Sequence, residues 1–546
     1  MSLIGVSRYL LMPVVLASFV LLGGCGGSST QVPPPMFSIG GTVVNLAGSA
    51  PGLVLQDNGG DNLPVDGNGS FSFPTALANG SAYSVSVFTQ PSSPAQTCSV
   101  ANATGTVTSD VTNVEVNCGH MEWGWITGTK LPNQIGVYGT LGTAAAANTP
   151  GGRQYPATWT DKSGNLWLFG GYGHDSAGNL LPFNDLWEFS GGQWIWMGGP
   201  ALSGQNGSYG TFGVASPTNI PGARFEAASW TDSSGNLWLF GGNGFDSAGN
   251  ESPMNDLWKY SNGQWTWMGG SKIGLQNGNY GTLGVASPSN EPGGRASPVI
   301  WIDSSGNLWL FGGLGYDASN PINGELSDLW KYSNGEWTWM GGPQLKQQPG
   351  VYGTLGTASP ENVPGSRYGA FGSMDKSGNF WLFGGYGYDS TGEIYVLNDL
   401  WEYSSGQWTW VGGSKLVNQR GVYGTLGVPA PSNIPGSRQF GVSWTDASGD
   451  FWIFGGNGFD ATGGAGYLND LWKFSGGQWA WMAGSNMANP GSNFGTQGAL
   501  APGNAPGGRF FLTGWSDPQG NLWLFGGYGI SPAGLGNLND LWTYTP

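Results

Sequence analysis

An arginine recurs six times, as Arg153, Arg224, Arg295, Arg367, Arg438 and Arg509, and an aspartate follows each of them 31 to 33 residues later, at Asp185, Asp256, Asp328, Asp399, Asp470 and Asp540. Six guanidinium groups and six carboxylates at so regular a spacing have two chemistries open to them. They can pair with one another or with loop carbonyls, because the guanidinium fork matches a carboxylate bidentately. Alternatively the arginines can form a ring that grips an anionic ligand. A second column runs through the refrain GVYGTLG and its variants: Tyr138, Tyr209, Tyr280, Tyr352, Tyr423 and Phe494. A ring of like aromatics on loops suits a glycan or a repetitive protein partner with multivalent gain, or else covers the top of the next repeat. These twelve residues are the candidate binding groups.

Catalysis has thinner support. Acid–base hydrolysis needs two carboxylates in unlike environments, and repeats place theirs in like ones. One irregular carboxylate stands out: Glu226, where the sister repeats have Tyr155, Ser297, Gly369, Phe440 and Phe511. It is the single weak catalytic candidate. Asp161, Asp232, Asp303, Asp375, Asp446 and Asp517 precede short turns, which is ordinary hairpin chemistry. The runs TDSSGNLW and TDASGDFW resemble the sialidase Asp box, but their spacing is D-x-x-G, so no such site is assigned. The loops of FDSAGN type are read as turns rather than calcium sites, and no metal or cofactor is expected.

The elements that hold these residues are repetitive too. GNLWLFGG and its variants begin at 164, 235, 306, 378, 449 and 520. Each copy precedes NDLW or SDLW, and five of them precede W-x-W. With 101 Gly, 29 Trp and only 9% charged residues in 546, the composition suits an all-β chain with many tight turns. Four short strands are expected per unit. The second is apolar at nearly every position, so both of its faces must be covered by neighbours. Stacked side by side, such sheets form a cylinder of radial blades.

The apolar strand ending in Gly-Gly, with Tyr and Trp separated by six residues (Tyr260 and Trp267, Tyr332 and Trp339, Tyr403 and Trp410), resembles the kelch repeat. The resemblance implies a six-bladed kelch-like β-propeller over residues 120–546. The last unit lacks a fourth strand and a spare Trp123-Gly124-Trp125 precedes the first, so the N-terminal strand is expected to complete the last blade. Some kelch-type propellers are copper oxidases with a Cys-crosslinked Tyr and His ligands. This one has no Cys, and His only at 120 and 174. Other bacterial kelch proteins are sugar mutarotases, which is where a lone Glu226 could serve.

Ahead of the repeats, Arg8 and the apolar run Leu10 to Leu22 read as an export signal, too short to span a bilayer as a helix. Leu22-Gly23-Gly24-Cys25 resembles the bacterial lipoprotein box. That implies a signal over 1–24, lipidation at Cys25 and a tether over 25–36, and Gly26 resembles the sorting residue of outer-membrane lipoproteins. Residues 37–119 alternate with period two, as a small Ig- or transthyretin-like β-sandwich stalk would. Cys98 and Cys118 are expected to form a disulfide, given export. A net charge of −16 disfavours nucleic acid. Together these readings describe an envelope-anchored binding propeller that meets a surface glycan or protein through its loop-rich face. The alternative is a carbohydrate-active, mutarotase-like enzyme with its site at the channel mouth.

Overall fold

The computed structural model describes residues 34–44, 46, 52–91, 96–119, 122–319, 322–501 and 503–545. The leader, Cys25 and His120 lie outside the described residues. Every regular element among those described is a β-strand. From 122 onward the strands form many small sheets in a propeller-type arrangement.

One unit serves for all. Ala228–Thr231 pairs antiparallel with Leu237–Phe240, then Leu257–Ser261, then Gln264–Gly269. Asp232 shapes the first hairpin by accepting the Ser234 and Asn236 N–H groups and the Trp238 indole. Both faces of the second strand are buried, each against a different unit. Ala228, Trp230, Phe240 and Leu257 share one core with Leu308, Leu310, Trp330 and Trp337 of the next unit. Full burial of side chains of this size contributes about 1.5–3 kcal/mol apiece. No sheet could stand alone with both faces wet. The innermost strands touch in closed order: Ala157–Thr160, Ala228–Thr231, Val299–Ile302, Phe371–Met374, Val442–Thr445, Thr513–Ser516, and back to the first.

The sequence suggests one continuous first strand from the arginine, but the chain breaks it. Arg224–Phe225 and Ala228–Thr231 are separate strands, with Glu226 between them in the left-handed region at φ 59°. Arg224–Phe225 pairs with Asn243–Phe245, which pairs with Glu251–Pro253, so past the Gly-Gly this unit carries a further three-stranded sheet beyond the four strands expected. The double glycine is what lets the next unit cross here. The Gly242 N–H donates to the Arg295 carbonyl at 2.9 Å, and a Cβ on Gly241 would stand 2.8 Å from that same oxygen.

The two ends of the repeat region meet in one sheet, where Glu122–Thr127 pairs antiparallel with Leu541–Thr545. The outermost strand of every unit is also covered. The second tryptophan carbonyl accepts a linker N–H, from Gly142, Gly213, Gly284, Gly356, Gly427 and Gly498, at 2.7–2.9 Å. Capping edges in this way removes a template for aggregation. Within residues 36–119, two four-stranded sheets (centred on Ile39–Val44 with Val111–Gly119, and on Leu53–Asp57 with Ala82–Thr89) share a core that includes Ile39, Leu55, Val85 and Val116. Cys98 and Cys118 stand opposite each other in register and form a disulfide. A loop of that length stabilises by about 3 kcal/mol on the chain-entropy model.

A chain ending at Leu538 loses Leu541–Thr545 and leaves Trp123 and Trp125 unpaired. It is expected to aggregate and to melt well below the parent in size-exclusion and circular-dichroism measurements. A monomeric truncation with an unchanged melting temperature would show that pairing of the ends does not hold the ring.

Candidate functional site

The repeated arginines and aspartates find each other. Arg153 donates from Nη1 to Asp185 Oδ1 at 2.6 Å and from Nη2 to Oδ2 at 2.9 Å, with further bonds to the Gly151 and Gly170 carbonyls. Both side chains are fully buried, and the same pair forms in all six units. Each Asp carboxylate takes a third donor, at Oδ2, from the indole two residues on, as with Trp187 at 2.7 Å. In five units it takes a fourth, the refrain tyrosine: Tyr138, Tyr209, Tyr280, Tyr352 and Tyr423 donate to Asp185, Asp256, Asp328, Asp399 and Asp470 at 2.6–2.8 Å. Phe494 packs on Trp542 at the sixth place without a hydroxyl.

This placement corrects the expectation for both columns. Apart from the half-buried Tyr138, the refrain aromatics are at most 5% exposed, as are all six arginines. Their polar atoms are engaged by the repeated aspartates and by glycine carbonyls, so they hold the scaffold. Burial, and then the neighbouring Asp256 carboxylate, pushes the Tyr209 phenol far above its usual range, so it stays a donor. Breaking one buried pair by Arg224→Ala is expected to destabilise by about 3–5 kcal/mol, and Tyr209→Phe by about 1 kcal/mol. Urea midpoints check both; equal small losses would contradict the clamp.

Two residues beyond each arginine the chain forms a closed belt. Glu226 N–H donates to the Tyr155 carbonyl (3.2 Å), Ser297 to Glu226 (2.9 Å), Gly369 to Ser297 (3.3 Å), Phe440 to Gly369 (2.8 Å), Phe511 to Phe440 (2.9 Å) and Tyr155 to Phe511 (2.8 Å). All six residues have φ between 47° and 61°. Five of them are not glycine, and each such residue costs about 1 kcal/mol or more, which the cyclic hydrogen bonding offsets. A cavity of about 210 Å³ lies at the belt, lined by its six residues and by inner-strand residues such as Thr158, Ser229 and Ser443. Glu226, the one irregular carboxylate in the sequence, therefore sits at the axis.

Burial strips the Glu226 carboxyl of hydration and pushes it up to about 7, while the Ser297 hydroxyl beside it works in the opposite direction. Burial first, then Glu226 and Tyr368, raise the Tyr155 phenol well above its usual value. The Tyr155 and Ser297 hydroxyls are buried with no hydrogen bond of normal geometry, a condition that costs about 1–3 kcal/mol per group. A carboxyl raised from 4.5 to about 7 on folding contributes no loss below pH 4.5. Stability then falls as pH rises through 7, by roughly 3 kcal/mol at most. Glu226→Gln is therefore expected to match the parent near pH 4 and to exceed it above pH 7, read from denaturant midpoints across pH. A constant difference across pH would mean that the carboxyl is not buried on folding.

A third arrangement lies on the linkers. One column, Leu131, Leu202, Ile273, Leu345, Leu416 and Met487, and a second, Leu141, Phe212, Leu283, Leu355 and Leu426, are 44% to 59% exposed. Lys272 reaches from the start of one linker to the Gly210 carbonyl in the refrain of the one before, which draws the two columns together. The refrain thus points its tyrosine inward and its leucine outward. The sequence reading marked the tyrosine column as a binding face and passed over the leucine column, although Leu recurs in four of the six refrains. Among the described residues, no three His, Cys, Asp or Glu side chains are grouped so as to hold a metal.

No family model matches the sequence, and no curated protein matches it. Among solved structures, the chain is similar to that of YjhT, with 15% identity over 72% of this chain and 95% of that one and a TM-score of 0.41. It is also similar to a fungal alcohol oxidase of the AA5 family in complex with copper, with 14% identity over 74% and 77% and a TM-score of 0.39.

Proposed function

We propose that this chain is an exported, lipid-anchored interaction protein: a closed six-bladed kelch-like propeller, carried on a small β-sandwich stalk, that meets a protein partner through its loop-rich rim. Six repeated sheets with inner strands touching in closed order support the blade count, and the two sheets around Cys98 and Cys118 support the stalk. The Leu22-Gly23-Gly24-Cys25 box supports anchoring, and Gly26 supports the outer membrane as its place.

One observation carries the functional reading: most of the large exposed apolar side chains among the described residues lie on the linkers, at positions repeated from unit to unit. Soluble proteins rarely keep large apolar patches in water, and those that do use them for association. The exposed set is mainly aliphatic, whereas the aromatic refrain that could have stacked on sugar is inside. Rim chemistry thus favours a protein over a glycan. Near-equivalent contacts around one ring add up through effective concentration, so each contact can be weak.

A photoreactive benzophenone residue at position 283 or 345, expressed in the native host, is expected to give a discrete protein adduct. The same residue at the exposed Ser233, in the turn before the second strand, is expected to give none. Adducts of equal yield at all three positions, or none at the rim, would remove the reading.

A further inference from the structure

The axial cavity has two unlike walls. On one side, the rings of Tyr155, Phe440 and Phe511 pack together, with centroids 4.6–5.3 Å apart. On the other side the belt carries Glu226, Ser297 and Gly369, and a Cβ at Gly369 would collide with the Phe440 ring. The inner-strand hydroxyls below are already engaged: Ser229 donates to the Thr158 carbonyl, Ser443 to the Gly372 carbonyl, and Thr158 bonds Thr513. The groups left without partners are the buried Tyr155 and Ser297 hydroxyls, with the Glu226 carboxyl beside them.

We propose that this cavity is a binding site for a small uncharged polyhydroxyl molecule, held through Tyr155, Glu226 and Ser297. Each part of the description follows from a feature of the walls. No Lys or Arg lines the cavity, so an anion would find no counter-charge. The Glu226 carboxyl, stripped of hydration by burial and pushed up to about 7, offers a cation only a partial counter-charge. Two hydroxyls and a carboxyl along one edge, facing aromatic rings, suit a molecule with an apolar face and a hydroxylated edge. The volume of about 210 Å³ equals about seven waters at ~30 Å³ each. That admits one ring-sized molecule. The belt leaves no main-chain donor or acceptor free at this level, because each of its N–H and C=O groups is bonded to the next unit. Recognition therefore falls to the side chains, which at this level depart from six-fold repetition. The site stands apart from the rim and does not depend on it.

The test is titration calorimetry, with ligand-observed NMR, on the full mature chain, using glycerol, myo-inositol, D-glucose and D-galactose at millimolar concentration. Saturable binding of at least one is expected, weakened about tenfold or more by Tyr155→Phe and by Glu226→Gln, which change no more than a hydroxyl or a charge. Ser297→Leu, which fills the cavity, should abolish it. Leu283→Asp on the rim should leave it unchanged, so failure here and failure of the rim reading are separable. If none of the four binds saturably, or binding survives all three cavity variants, the cavity holds only water and the proposal is overturned.

Discussion

The buried arginine–aspartate clamp is the interaction on which the rest depends. A guanidinium in a dry interior is tolerable only if its donors are answered, and here four hydrogen bonds answer them, two to one carboxylate and one to each of two glycine carbonyls. The clamp locks the first and third strands of a unit to each other. The main chain of the same arginine is bonded to the unit before it: the Gly171 N–H donates to the Arg224 carbonyl, and the Arg224 N–H donates to the Phe183 carbonyl. A single residue thus joins two sheets, by its side chain to one and its backbone to the other.

Everything near the axis inherits its position from that residue. The belt lies two positions further along the chain, so six clamps set six belt residues at one level and allow their peptides to close a ring. The left-handed conformation at the belt is a consequence of the turn from the clamp into the inner strand. It holds even where Tyr, Phe, Glu or Ser occupies the position. Side-chain identity is consequently free to vary there, and it does: the belt is the one column in which all of a polar acid, a small hydroxyl, a glycine and aromatics occur.

Repetition and function are divided in space. Groups repeated from unit to unit and able to satisfy one another, such as Arg, Asp, the NDLW tryptophan and the refrain tyrosine of five units, are inside and inert. What remains for chemistry is either irregular, as at the axis, or repeated without an internal partner, as with the linker leucines. A repeated side chain that stays half exposed in unit after unit has no packing reason to be apolar, which is why the rim carries the functional reading.

The amino-acid sequence alone was enough for the repeat length, the all-β class, the apolar second strand and the cysteine pair, because those follow from local periodicity and composition. It was also enough to mark Glu226, since a break in a six-fold column is visible as text. It did not decide between the two chemistries of the Arg and Tyr columns. A clamp and an anion-binding ring use the same residue types at the same spacing, and they differ only in whether the carboxylate lies within reach. Only the tertiary structure settled that, by bringing Asp185 to 2.6 Å from Arg153 and turning each Tyr of the refrain inward and each Leu outward. The belt was illegible for the same reason: its hydrogen bonds join residues about 71 apart, and closing them requires all six units at once.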